Sequence, residues 1–172
     1  MRDTRVLDNG QAPLAPLVEP RLSLLHDQRP RPRLPTPQRL NAARDTRAIA
    51  GRKILLVDDD VRNIFALTSL LETHDAKVIY AENGRAGIDA LHAHRDVELV
   101  LMDIMMPELD GYETMREIRL DPRYGKLPII AVTGKVLRNE RERCIAAGAS
   151  DYLPKPVDTE ALLAAVTMWL ST

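Results

Sequence analysis

The 172-residue chain has a single cysteine, Cys144, so it cannot form an internal disulfide, and this fits a reducing compartment. Long apolar runs are also missing. The longest, such as ALLAAVTMWL at 161–170, fall far short of the roughly 20 residues that a membrane helix needs. The opening MRDTRVLDNG lacks the apolar segment of a secretory signal, and a cytoplasmic protein is expected. Nor is there a basic excess: 24 Lys and Arg stand against 25 Asp and Glu, which excludes nucleic-acid binding driven by bulk charge. The chain does have a 45% hydrophobic content, enough for a real core in one domain of ordinary size plus a tail.

The tail is marked by proline. Seven of the twelve prolines (Pro13, Pro16, Pro20, Pro30, Pro32, Pro35 and Pro37) lie in residues 1–50, together with nine arginines against five acids. The run QRPRPRLPTPQRL removes backbone donors and favours extended polyproline conformations, so residues 1–50 read as a flexible tail or linker. Either it is a plain tether, or its Pro-x-x-Pro spacing or RLSLLHD segment docks on a partner or on the domain itself.

From Lys53 onward, apolar strand patterns alternate with amphipathic helices. Strands are expected at 53–57, 77–81, 98–102, 127–132 and 151–155, and helices at 61–74, 83–94, 111–120, 136–149 and 158–170. In the first helix the apolar face is read as Val61, Ile64, Phe65, Thr68 and Leu71. Five βα units with continuous apolar strands imply an α/β fold, a parallel sheet covered on both faces. In such sheets ligands sit beyond the carboxyl ends of the strands.

That rule turns the strand ends into a site map. The run ILLVDDD at 54–60 ends strand one at Asp58 and Asp59; strand three ends at Asp103, strand four at Thr133, and strand five leads into Lys155. Each carboxylate pair about 4 Å apart costs on the order of 4 kcal/mol at an effective dielectric near 20, so the cluster needs a counterion. A hard divalent cation meets that need, and Mg2+ takes one or two carboxylates plus a phosphate oxygen while keeping several waters. Capping of the first helix accounts for Asp60 and competes as a role for Asp59. It does not account for Asp103, which interrupts the apolar ELVLMDIMMP run.

The motifs VDDD, LMDIMMPELDG, VTGK and AAGASDYLPKP, in that order, resemble those of the receiver domains of bacterial two-component response regulators. The spacings of 44 residues from Asp59 to Asp103, 30 from Asp103 to Thr133 and 52 from Asp103 to Lys155 agree with that family's pattern. The likeness places a receiver domain at 51–172 and implies a flavodoxin-like doubly wound fold with strand order 2-1-3-4-5. It implies that Asp103 accepts a phosphoryl group from a histidine kinase or histidine phosphotransferase. Asp58, Asp59, Asp103 and the main-chain carbonyl of Met105 would hold Mg2+, and Thr133, Gly134 and Lys155 would bind the phosphoryl group. Thr133 and Tyr152 would form a switch that alters the surface of the fourth helix, fifth strand and fifth helix, a face that also serves dimerisation in the family. The Lys155–Pro156 bond would be cis.

Because the last helix is read as ending at the end of the sequence, no output domain is expected to follow. It reads either as a single-domain regulator or as the receiver of a hybrid kinase with residues 1–50 as linker. The DDDVRNIFALTSLLE segment and the AGASDYLPKPVD ending are most similar to hybrid-kinase receivers. Two other classes compete. A phosphatase of the haloacid dehalogenase type also gathers Asp, Thr and Lys around Mg2+, and Asp58-Asp59-Asp60-Val61 matches its Asp-x-Asp pattern superficially. It lacks the cap insertion and the late paired acids of that class. A pure binding module has no use for five chemistry-bearing strand-end residues.

Overall fold

The structure, a computed structural model, describes residues 46–134 and 139–171. In chain order the elements are β1 (Lys53–Val57), α1 (Val61–Glu72), β2 (Lys77–Ala81), α2 (Gly84–Ala93), β3 (Leu99–Asp103), α3 (Gly111–Leu120), β4 (Ile129–Thr133), α4 (Glu140–Ala146), β5 (Asp151–Pro154) and α5 (Thr159–Leu170). The strands form one parallel sheet in the order β2-β1-β3-β4-β5. The start expected for the fourth helix, residues 136–138, lies outside the described residues, as does the Pro/Arg-rich stretch up to residue 45.

Alternation along buried strands explains why their sequences are apolar without a break. Leu55, Val57, Val100, Met102 and Ala131 point to one face, where Leu91, Met115 and Cys144 from α2, α3 and α4 cover them. Ile54, Leu56, Leu99, Leu101 and Ile130 point to the other, covered by Ile64 and Leu71 of α1 and by Leu162 and Val166 of α5. Four of the five helices start on side-chain caps: Asp60, Asn83, Asp110 and Asp158 accept from the amides of Arg62, Ala86, Glu113 and Ala161. Asp60 thus has the capping role read for it.

One expectation shifts. The face of α1 is displaced: Ile64, Leu67 and Leu71 are buried, whereas Phe65 is 75% exposed and Val61 is also open to solvent. Ile64, Leu67 and Leu71 recur at the helical period on the side facing the sheet, and Phe65 lies about 100° round the axis from Ile64. We therefore expect Phe65→Ala to change stability by no more than about 0.5 kcal/mol and Leu71→Ala to cost about 2–5 kcal/mol, both read by urea denaturation. A 3-10 turn at Thr46–Ala48 leads to Ile49, which is fully buried among the α1- and α5-facing core residues.

Candidate functional site

The carboxyl ends of β1 and β3 bring three acids together. Asp58, Asp59 and Asp103 each offer a carboxylate oxygen within 4.8 Å of the others; Asp58 and Asp103 are buried and Asp59 is exposed. β1 continues through a tight bend in which Asp58 Oδ1 accepts the Asp60 amide at 2.8 Å, which aims Asp58 across the sheet edge. Asp103 is aimed similarly, its Oδ1 accepting the Met105 amide at 3.1 Å.

Lys155 reaches this group from beyond β5. Its ammonium lies 2.9 Å from Asp103 Oδ2 and 3.0 Å from Asp58 Oδ2. One cation thus faces two buried anions. The peptide bond from Lys155 to Pro156 is cis. Burial pushes the Asp103 carboxyl above the usual carboxylate range, and the charge of Asp58 adds to this; the Lys155 ammonium and the Met105 amide pull the other way without prevailing. Burial pulls Lys155 down, but its hydrogen bonds to Asp103 and Asp58 outweigh that and raise it above the ordinary lysine value. The site therefore has more negative charge than one ammonium compensates. The carboxylate donors are all oxygens, which suits a hard divalent cation rather than a soft one.

Thr133 ends β4 next to this cluster in the sheet, and its hydroxyl donates to Glu140 Oε1 at 3.1 Å. Among the described residues, a methyl group built on Gly134 would meet nothing within 4 Å. Tyr152 on β5 is half-buried and packs against the core under α2, α3 and α4.

Sequence reasoning missed three participants. Asn63 donates from the first turn of α1 to both oxygens of Asp58 at 3.3 Å. Its position five residues after Asp58, on a helix that Asp60 caps, was the available clue. Glu140 and Tyr112 are buried and hydrogen-bonded to each other, and Glu140 sits in NERER, which reads as a solvated charge run. Cys144 beside them is fully buried, and burial pushes its thiol up to about 11.

A doubly wound five-stranded sheet with acids at the ends of β1 and β3 and a lysine after β5 defines a class of phosphoryl-handling signalling domain. Residues 54–167 match the family model for the response regulator receiver domain, and the chain belongs to that family. Among similar proteins, PilH of Pseudomonas aeruginosa is 40% identical over 119 residues, covering 69% of this chain and 98% of PilH. The sensor histidine kinase GacS of Pseudomonas protegens is 34% identical over 140 residues, covering 79% of this chain and 15% of GacS. The chain thus spans nearly all of one relative and a small part of the other.

Among solved structures, the receiver domain of the Pseudomonas aeruginosa sensor histidine kinase PA1611 is similar at 34% identity and a TM-score of 0.63, covering 72% of this chain and all of that one. That receiver carries a magnesium ion coordinated in its active site cleft. CheY4, a chemotaxis protein of Vibrio cholerae, matches with a TM-score of 0.65 at 26% identity, over 69% of this chain and 98% of that one. The chain is therefore a phosphoacceptor module of two-component signalling. Among the described residues no helix is long and apolar enough to cross a membrane.

Proposed function

We propose that Asp103 is the phosphoacceptor, taking a phosphoryl group from a histidine of a kinase or phosphotransferase. The observation that carries this reading is the Lys155 bridge: one ammonium lies within 3.0 Å of carboxylates from two different strand ends. In the transfer, a carboxylate oxygen of Asp103 forms the new bond to phosphorus as the bond from phosphorus to the donor's imidazole nitrogen breaks, and the electron pair of that bond leaves with the imidazole. Lys155 then binds a phosphoryl oxygen and neutralises charge where it develops. Gly134 leaves the phosphoryl group room, and Thr133 donates its hydroxyl to a second phosphoryl oxygen.

Asp58, Asp59 and Asp103 are the side chains that would hold Mg2+, with the carbonyl of Met105 as a further oxygen. Bound there, the ion would neutralise the carboxylates and the phosphoryl oxygens. The fit rests on the donor chemistry: three carboxylates within 4.8 Å, two of them buried and one open to solvent. Hydrolysis of the acyl phosphate returns Asp103 to its free form, so the chain catalyses only its own phosphorylation and dephosphorylation and transforms no external metabolite. Movement of Thr133 towards the phosphoryl group vacates space for Tyr152, and the surface of α4, β5 and α5 changes for a downstream protein or a second copy. The two states need differ by only a few kcal/mol for phosphorylation to shift their populations. The chain works in the cytoplasm, in the same compartment as its kinase or phosphotransferase donor, a reading that the lone buried Cys144 favours.

The test is intact-protein mass after incubation with Mg2+ and acetyl phosphate. The wild-type chain should gain one phosphoryl mass, and Asp103→Asn, or the wild type with EDTA, should gain none. A short-lived adduct is caught by repeating the comparison with beryllofluoride, a stable mimic of the phosphoryl group. Failure of the wild type to take up either ligand removes the reading.

A further inference from the structure

We infer that Glu140 is a positioning residue for the switch: its carboxylate holds the Thr133 hydroxyl in the resting chain and sets how readily that hydroxyl transfers to a phosphoryl group. The inference rests on the roles proposed above for Asp103 and Thr133.

Three elements meet at one oxygen. Glu140 is the first residue of α4, yet it is only 4% exposed. Its Oε1 accepts from Thr133 Oγ1 of β4 at 3.1 Å and from the Tyr112 hydroxyl of α3 in a short hydrogen bond. A threonine hydroxyl has one proton to donate. The Thr133 proton can therefore satisfy the buried carboxylate or a phosphoryl oxygen on Asp103, but not both at once.

Glu140 stays anchored when Thr133 departs. Burial raises the Tyr112 phenol well above its ordinary value and the bond to Glu140 raises it further, so Tyr112 keeps its proton and remains a donor. The guanidinium of Arg143 lies 4.9 Å from the centre of the Tyr112 ring, and its Nη1 is 3.9 Å from Glu140 Oε2. Glu142, in the same first turn of α4, is exposed and could serve the helix dipole equally well, so the dipole does not account for the burial of Glu140. What burial adds is the tie between the first turn of α4 and the end of β4. Withdrawal of Thr133 breaks that tie and frees the start of α4 on the face where the altered surface is proposed.

The experiment titrates the full chain with beryllofluoride in Mg2+ and compares wild type, Glu140→Gln, Glu140→Ala and Glu142→Gln. Removal of the competing acceptor should tighten beryllofluoride binding. A hydrogen bond to a charged group is worth roughly ten- to a hundredfold in an equilibrium, and part is retained by rearrangement, so we expect about three- to tenfold for Glu140→Ala. Glu140→Gln keeps the shape and a weaker acceptor, and should move the same way by less. Glu142→Gln should bind like the wild type.

A second readout needs no phosphoryl mimic. In the unliganded chain the Thr133 methyl resonance should shift in both Glu140 variants towards its position in the beryllofluoride-bound wild type. Variants that melt cooperatively yet bind within twofold of the wild type, or more weakly, overturn the inference while leaving the role of Asp103 intact. A wild type that fails to bind beryllofluoride overturns the role of Asp103, and the inference falls with it.

Discussion

Gly111→Ala should cost roughly 3–5 kcal/mol of stability and disorganise the strand end that carries Asp103. The cause is steric and lies in the backbone. A Cβ on Gly111 would stand 2.2 Å from the carbonyl oxygen of Asp103 and 2.7 Å from the Cα of Ile104. Neither atom belongs to a flexible side chain that could turn aside. The close approach is built in, because the Gly111 amide donates to the Ile104 carbonyl at 3.1 Å and so fastens the start of α3 against the end of β3. Relief requires α3 to move off the sheet, which pulls Met115 and Ile118 out of the core. Gly134→Ala is the matched control: its Cβ meets nothing within 4 Å, and its effect should stay within about 0.5 kcal/mol. Urea denaturation of the two variants measures the contrast. Gly111→Ala unfolding like the wild type would show that α3 can retreat without loss.

The second large effect belongs to Lys155. Lys155→Gln should slow phosphorylation by acetyl phosphate on the order of 100-fold, as expected when a preorganised charge on the transferring group is lost. It should also lower stability without Mg2+ by about 1–3 kcal/mol, because two buried carboxylates lose the ammonium they share. The pH dependence separates this from a packing defect. In the wild type, the folded-state pKa of Lys155 is raised, so its contribution is fully present below the ordinary lysine value near 10.4 and is lost as pH rises through the folded value. Asp103 runs the opposite way to a salt-bridged acid. Its folded pKa is already raised, so its ionisation costs stability as pH climbs from the unfolded value near 3.9, and loss of Lys155 enlarges that cost. The gap between Lys155→Gln and wild type should therefore be small in acid and open towards neutral pH in thermal melts. A gap independent of pH would assign the loss to packing instead.

The strands and the strand-end acids were legible because they rest on short-range chemistry, whereas the strand order was implied by the family resemblance. A run such as ILLV can be buried on two faces only, and a charge that interrupts ELVLM has to serve something other than solubility. The register of α1 was not legible. Apolar residues surround its first two turns, so the period alone could not choose between a stripe through Phe65 and one through Leu67. The choice is made by where α1 lies on the sheet. Glu140 was invisible for a related reason. It is acidic, flanked by Asn139 and Arg141, and its partners Tyr112 and Thr133 are 28 and 7 residues away, so its burial is a property of the packed elements. Proline density marks where regular structure is difficult, and among the described residues burial begins at Ile49.

Ile49 also fixes a polarity. The turn at Thr46–Ala48 packs near α5, and Gly51 and Arg52 bond to Asp75 and Lys77 at the start of β2. The chain is thus moored at the opposite pole of the sheet from the aspartates, about 17 Å away along the five residues of β1. A pull applied at Thr46 would therefore load the amino-terminal edge of β1 and β2, and not the strand ends that carry the carboxylates.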